Sequence, residues 1–171
     1  LQENIYILCK TPMARSITRR TLAGFRTDVT IHTVYYEGLV EQLRAENTFP
    51  YVINTLQTPK FWSLSNTTNK MKFDTIIGNP PYQLTTEGTS DEPIYPHFID
   101  LGAILARRAT LITPARYLFD AGKTPKEWNQ KILNDPHFKV ILYKANSTDV
   151  FPNVDIKGGV AVIYHDQKTE F

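Results

Sequence analysis

The strongest constraint in this chain is a run of apolar and β-branched residues, Phe73-Asp74-Thr75-Ile76-Ile77, that leads without interruption into Gly78-Asn79-Pro80-Pro81-Tyr82. The run has the composition of a strand. Two successive prolines can extend neither a helix interior nor a central strand, because each lacks the backbone N–H that either ladder needs. The chain must therefore leave the strand near Gly78 and present a stiff polar loop at the strand's carboxyl end. In open α/β sheets that is the end where ligands bind.

On either side of this motif, strand-like and helix-like segments alternate. Residues 4–9 are a short apolar run typical of a strand buried on both faces. Thr11-Pro12 then opens a helix to about residue 22, with Thr11 as cap and Gly24 past its end. Met13 and Ile17 share one face of that helix, while Arg15, Arg19 and Arg20 point largely elsewhere, the pattern of a solvated face. A second strand is predicted over 29–36 and a short helix over 37–45. Residues 47–72, with Pro50, Pro59 and Ser65-Asn66-Thr67-Thr68-Asn69, read as a polar connection, and 88–92 as a second. A helix over 94–107 carries Ile94, Phe98, Leu101 and Leu105 on one stripe, which leaves Arg107 and Arg108 at its end. Strands follow over 109–113, 139–144 and 160–164. Before the last two, Thr124-Pro125-Lys126-Glu127 reads as a helix opening, with a threonine cap and a glutamate placed to reach back. No repeat divides the sequence, so residues 1–171 are expected to form one α/β domain with a mostly parallel sheet.

Composition narrows the function classes. Nineteen Lys plus Arg against seventeen Asp plus Glu leave a net charge of +2, too little to identify a polyanion as partner. The single Cys9 excludes an internal disulfide framework and a cysteine-based zinc cluster, and the four histidines, at 32, 97, 137 and 165, are far apart, so no metal is expected. A reducing, cytoplasmic setting is expected. No apolar run approaches the ~18 residues of a membrane span. Leu1 opens directly onto a strand-like segment, and the expectation is a piece of a longer chain.

The loop residues can do specific chemistry. The Asn79 side-chain oxygen and the Pro80 carbonyl are acceptors with no competing N–H from either proline, and together they can accept both hydrogens of an exocyclic amino group. Tyr82 supplies a flat face for a ring. An aromatic amine is a poor nucleophile because its lone pair is delocalised, and accepting its two hydrogen bonds favours a pyramidal nitrogen with the lone pair directed at an electrophile. No strong base is needed, and none is near in sequence; Asp74, the closest acid, lies inside the strand.

The segment from Phe73 to Gln83 resembles the catalytic motif of amino-methyltransferases that use S-adenosylmethionine, specifically the adenine-N6 DNA methyltransferases of bacterial restriction-modification systems. Ile112-Thr113-Pro114-Ala115-Arg116-Tyr117, Val150-Phe151-Pro152 and Asp155-Ile156-Lys157-Gly158-Gly159-Val160 resemble later strands of the branch in which methylase and nuclease share one polypeptide. The likeness extends over residues 73–166. It implies a Rossmann-like methyltransferase sheet, mostly parallel with an antiparallel last strand, S-adenosylmethionine as cofactor, and double-stranded DNA as partner. It also implies a flipped adenine stacked on Tyr82, with N6 held by Asn79 and the Pro80 carbonyl in a loop stiffened by Pro81. By position, Phe151 is the candidate to cover the other side of the base, and Arg116, just past a strand's carboxyl end, the candidate for a phosphate contact.

The sequence departs from the family pattern before residue 73. Neither a glycine-rich turn nor an acidic residue at the end of a second strand is present, so the first, central strand and its turn are expected to lie outside this chain, as is any target-recognition or nuclease region. Gly158-Gly159 lacks the spacing of a phosphate loop and reads as a tight turn into the last strand. Trp62, Trp128 and Tyr143 read as core or semi-buried packing, and His97 and His137 as surface or helix-end residues. Two other readings stay open: an amino methyltransferase acting on protein glutamine or RNA, and a non-catalytic DNA-binding or assembly fragment.

Overall fold

A computed structural model describes residues 4–45, 47–84 and 91–171. The chain divides into two compact units, Leu1–Met71 and Lys72–Phe171.

In the first unit β1 (Tyr6–Cys9) and β2 (His32–Tyr35) pair in parallel, Tyr6 opposite His32 and Cys9 opposite Tyr35. They are joined by α1 (Pro12–Ala23), which starts as its sequence requires: the Thr11 hydroxyl accepts from the Ala14 N–H at 3.0 Å. Gly24, at a φ of 62°, closes the helix by donating to the Arg20 carbonyl. The faces of α1 are less simple than its amphipathic pattern. Met13 and Ile17 are 72% and 58% exposed, whereas Arg15 reaches back to the sheet and donates Nε to the Thr33 carbonyl at 2.8 Å.

Residues 47–72 are more than a connection. After α2 (Leu39–Arg44) come α3 (Phe49–Leu56) and a 3-10 turn over Pro59–Trp62. Pro50 stands in the first turn of α3, where a missing N–H leaves no helical bond unmade, so it starts the helix that it was expected to exclude. Val52 and Leu56 bury the helix, and Trp62, also buried, donates Nε1 to the Leu56 carbonyl at 2.7 Å. Tyr6 stacks on His32 with ring centres 4.8 Å apart, and Trp62 meets Tyr6 edge-on at 5.4 Å.

The second unit is built on a four-stranded sheet. Its strands are β3 (Phe73–Gly78), β6 (Ala106–Pro114), β7 (Phe138–Lys144) and β8 (Val160–Asp166), in the order β3-β6-β8-β7. β3 and β6 are parallel, while β8 runs antiparallel to both β6 and β7. Three strands thus share one direction and the last opposes them, the arrangement expected of the final strand in a mixed α/β sheet. A short antiparallel pair, β4 (Gln83–Leu84) and β5 (Glu92–Pro93), and then α4 (Tyr95–Leu105) lie between β3 and β6. Part of the predicted polar stretch 88–92 lies outside the described residues.

One face of the sheet carries the core: Leu111, Ala115, Ala161 and Ile163 pack with Tyr95 and Ile99 of α4, with Tyr117, and with Ile132 of α5 (Lys126–Leu133). Burial of this aliphatic and aromatic surface is the main favourable term holding the unit together. Two local expectations are corrected. Thr124 does not cap α5; it is buried and its hydroxyl pairs with the Tyr95 hydroxyl at 2.9 Å. Arg107 and Arg108 belong to β6, not to a helix end, and Arg108 bridges Asp74 at 3.1 Å and Asp166 at 3.5 Å. The Asp166 carboxyl is held below the usual carboxylate range chiefly by the Lys168 backbone N–H, with help from Tyr164 and the two arginines.

At the far edge, β7 exposes Val140, Ile141, Leu142 and Tyr143, with a register irregularity between Val140 and Leu142. Lys139 and Lys144 flank this stretch, and the Lys139 ammonium stands 3.9 Å from the centre of the Phe171 ring. Among the described residues no helix is long and apolar enough to cross a membrane.

Candidate active site

β3 delivers the loop predicted from the sequence. Its register runs from Phe73 opposite Ala106 to Gly78 opposite Leu111. A Cβ at Gly78 would lie 3.3 Å from Leu111 Cδ2, so the absence of a side chain lets the strand end close against its neighbour. Beyond it Asn79 is exposed, and Pro80, Pro81 and Tyr82 are half-buried. The loop is tied down immediately afterwards by β4–β5 pairing and by the Ile94 N–H donating to the Tyr82 carbonyl at 3.1 Å.

The Tyr82 hydroxyl is buried and has no hydrogen-bond partner among the described residues, and burial pushes its pKa up to about 12. Opposite it stands Phe151, with ring centres 6.5 Å apart at an interplanar angle of 63°, an edge-to-face contact. The structure therefore brings together two residues that are 69 positions apart in the sequence.

Phe151 is fixed by a residue that the sequence reading passed over. Ser147, 2% exposed, opens a 3-10 turn (Ser147–Asp149); its carbonyl accepts from the Phe151 N–H at 2.8 Å. Its hydroxyl donates to the Val154 carbonyl at 2.7 Å and accepts from the Ile156 N–H at 2.8 Å. One serine thus pins both ends of the loop that carries Phe151. The polar string Asn146-Ser147-Thr148-Asp149 has the composition of a turn, but nothing in it marks Ser147 as the member that is buried.

Arg116 follows β6, the parallel neighbour of β3, so it stands beyond the same end of the sheet as Asn79. Its stem is threaded between two glycines in the left-handed region. A Cβ on Gly122 (φ 99°) would meet Arg116 Cδ at 2.5 Å, and one on Gly158 (φ 86°) would meet Arg116 Cβ at 3.0 Å. The Gly158-Gly159 turn also holds the backbone beside the arginine, because the Ala115 N–H donates to the Gly159 carbonyl at 3.0 Å. Among the described residues no carboxylate pairs with the Arg116 guanidinium. Asp74, exposed on β3, is engaged by Arg108 at 3.1 Å. No group of three His, Cys, Asp or Glu side chains gathers among the described residues to hold a metal ion.

Compared with known proteins, residues 3–151 match the family described as "Eco57I restriction-modification methylase". An "Uncharacterized adenine-specific methylase" of Mycoplasma pneumoniae is 34% identical over 95 residues, covering 53% of this chain and 22% of the relative. The chain thus spans about a fifth of that protein's length. No solved structure matches.

Proposed function

Since this chain belongs to the Eco57I restriction-modification methylase family, we propose that it is the catalytic-loop portion, residues 1–171, of an adenine-N6 DNA methyltransferase acting on double-stranded DNA. One observation carries the reading: an exposed Asn79 in a double-proline loop at the carboxyl end of β3, three residues before a Tyr82 ring faced by Phe151. In this reading Tyr82 stacks the extruded adenine, a contact worth about 1–3 kcal/mol per base. Asn79 Oδ1 and the Pro80 carbonyl accept the two N6 hydrogens and orient the nitrogen lone pair. The present edge-to-face contact fills the space beside Tyr82, so an arriving base displaces Phe151, which then covers its second face. Arg116, fixed by its glycine neighbours, contacts a backbone phosphate.

Family membership implies dependence on S-adenosylmethionine, which when bound supplies the electrophilic methyl group. The residues at the carboxyl end of β1 do not fit its ribose. Cys9 is buried with its thiol 4.0 Å from the Thr18 hydroxyl, and the exposed Lys10 follows where hydroxyl groups would need an acceptor. A methyltransferase sheet completed by a further strand beside β3 is supported by the edge position of β3 in its four-stranded sheet, where Ile77 is 81% exposed.

The test is methyl transfer by the complete enzyme to duplex DNA, structured RNA and a glutamine-bearing protein. Only DNA should be labelled, and Asn79→Ala should slow labelling at least about tenfold, or 1.4 kcal/mol in the barrier. Labelling of RNA or protein instead, or an unchanged rate in the variant, refutes the assignment.

A further inference from the structure

We propose that the first unit holds a phosphate-binding cavity between α1 and the start of β2. The cavity, of about 220 Å³, is lined by Arg15 and Arg19 and by the hydroxyl-bearing Thr27, Thr30, Thr33 and Ser63. The two arginines stand four apart on α1, one turn above the other on the same face.

Three features select an anion with several oxygens. First, the cavity's charge is uncompensated. Among the described residues neither Arg15 nor Arg19 pairs with a carboxylate, and the nearby Asp28 is held by Arg26 at 2.6 Å. Second, one donor set is oriented in advance. The Arg15 Nε donates to the Thr33 carbonyl at 2.8 Å, which fixes the guanidinium plane and leaves its terminal nitrogens to donate elsewhere. Two planar forks beside hydroxyl groups suit a phosphate, which has oxygens for both, better than a single carboxylate, which one fork satisfies. Third, the cavity adjoins a second one of about 510 Å³, lined by Ser65, Asn66 and Thr67, with Thr30, His32 and Ser63 common to both. The wall of hydroxyl and amide groups there suits a sugar attached to the phosphate. His32 is fixed at the junction, stacked on Tyr6 and with Nδ1 donating to the Trp62 carbonyl at 3.2 Å. The ligand class is therefore a sugar phosphate, free as a nucleotide or within a nucleic-acid backbone.

The full 171-residue chain would be titrated with inorganic phosphate, a nucleoside monophosphate and a short DNA oligonucleotide, followed by calorimetry and backbone amide shifts. Phosphate and the nucleotide should shift the amides of Thr27, Thr30 and Ser63. Arg19→Gln should weaken both at least about tenfold, the loss of one charge-assisted fork. Arg20→Gln, whose arginine lies over the Phe25 ring at 5.3 Å and outside the cavity, should leave binding unchanged. If the oligonucleotide binds more tightly than the nucleotide and loses that advantage in Arg19→Gln, the source is a nucleic-acid backbone; equal affinities identify the free nucleotide. No binding of any of the three, or equal losses in Arg19→Gln and Arg20→Gln, overturns the proposal.

Discussion

Replacing Gly159 by alanine should be among the most damaging single-methyl additions in the second unit. Its φ is +77°, a left-handed conformation that costs an L-residue about 1–2 kcal/mol. The added Cβ would also fall inside the van der Waals shell of the Lys144 carbonyl oxygen and 2.9 Å from both Ala145 Cα and Ala145 O. These are backbone atoms at the end of β7, which cannot swing aside as a side chain would. Overpacking of this sort typically costs about 1–3 kcal/mol more. The sum is about 2–5 kcal/mol, which for a chain of this size corresponds to a fall in Tm of roughly 10 °C. Gly38→Ala is the control: φ is nearly the same at +67°, yet the nearest atoms to its Cβ are Gln42 Nε2 at 3.8 Å and Glu41 Oε2 at 3.9 Å. Only the backbone cost, about 1–2 kcal/mol, applies there. Urea unfolding followed by circular dichroism measures both. Equal losses in the two variants would show that crowding against Lys144 and Ala145 contributes nothing, and the reasoning would fail.

Other outcomes follow from the same geometry. Thr11→Ala should cost about 1 kcal/mol by removing the α1 cap, and Thr11→Ser should restore most of it in the same unfolding assay. Tyr82, with its pKa raised from 10.0 to about 12, favours the folded state fully below its ordinary value and loses that contribution as pH rises through about 12. Tyrosinate absorbance should show a component titrating there that Tyr82→Phe removes; a Tyr82 that titrates at its ordinary value contradicts the burial argument. Burial lowers the His165 pKa despite Asp135 at 3.5 Å, so its contribution is present above the ordinary 6.5 and is lost as pH falls below it. His165→Gln should flatten the stability profile over that acid range.

The loop was legible because Ile76-Ile77-Gly78-Asn79-Pro80-Pro81 combines a strand pattern with two residues that must end it, and both effects are local. The α1 cap was legible for the same reason. Reading failed where a residue's role depends on neighbours distant in sequence. Pro50 and Pro59 looked like breakers, yet a proline in a first turn is compatible with a helix, and the buried Val52, Leu56 and Trp62 decided the matter. Thr124 has a cap's sequence context, but the Tyr95 hydroxyl claims it. Arg107 and Arg108 looked like the end of a helix because the change from α4 to β6 occurs without a turn, between Leu105 and Ala106. The Tyr82–Phe151 contact was anticipated only through the family resemblance, and Ser147, which holds Phe151 in place, has no distinguishing local signal.

The lysines flanking β7 decide what this edge will tolerate. Were two molecules to align their β7 strands in opposite directions about a midpoint between Ile141 and Leu142, Lys139 of each would confront Lys144 of the other. Like charges directly across a strand pair oppose its formation. A greasy sheet border of the kind that seeds fibrils is thereby made self-repelling, whereas a strand bearing acidic residues at the matching places would meet no such opposition.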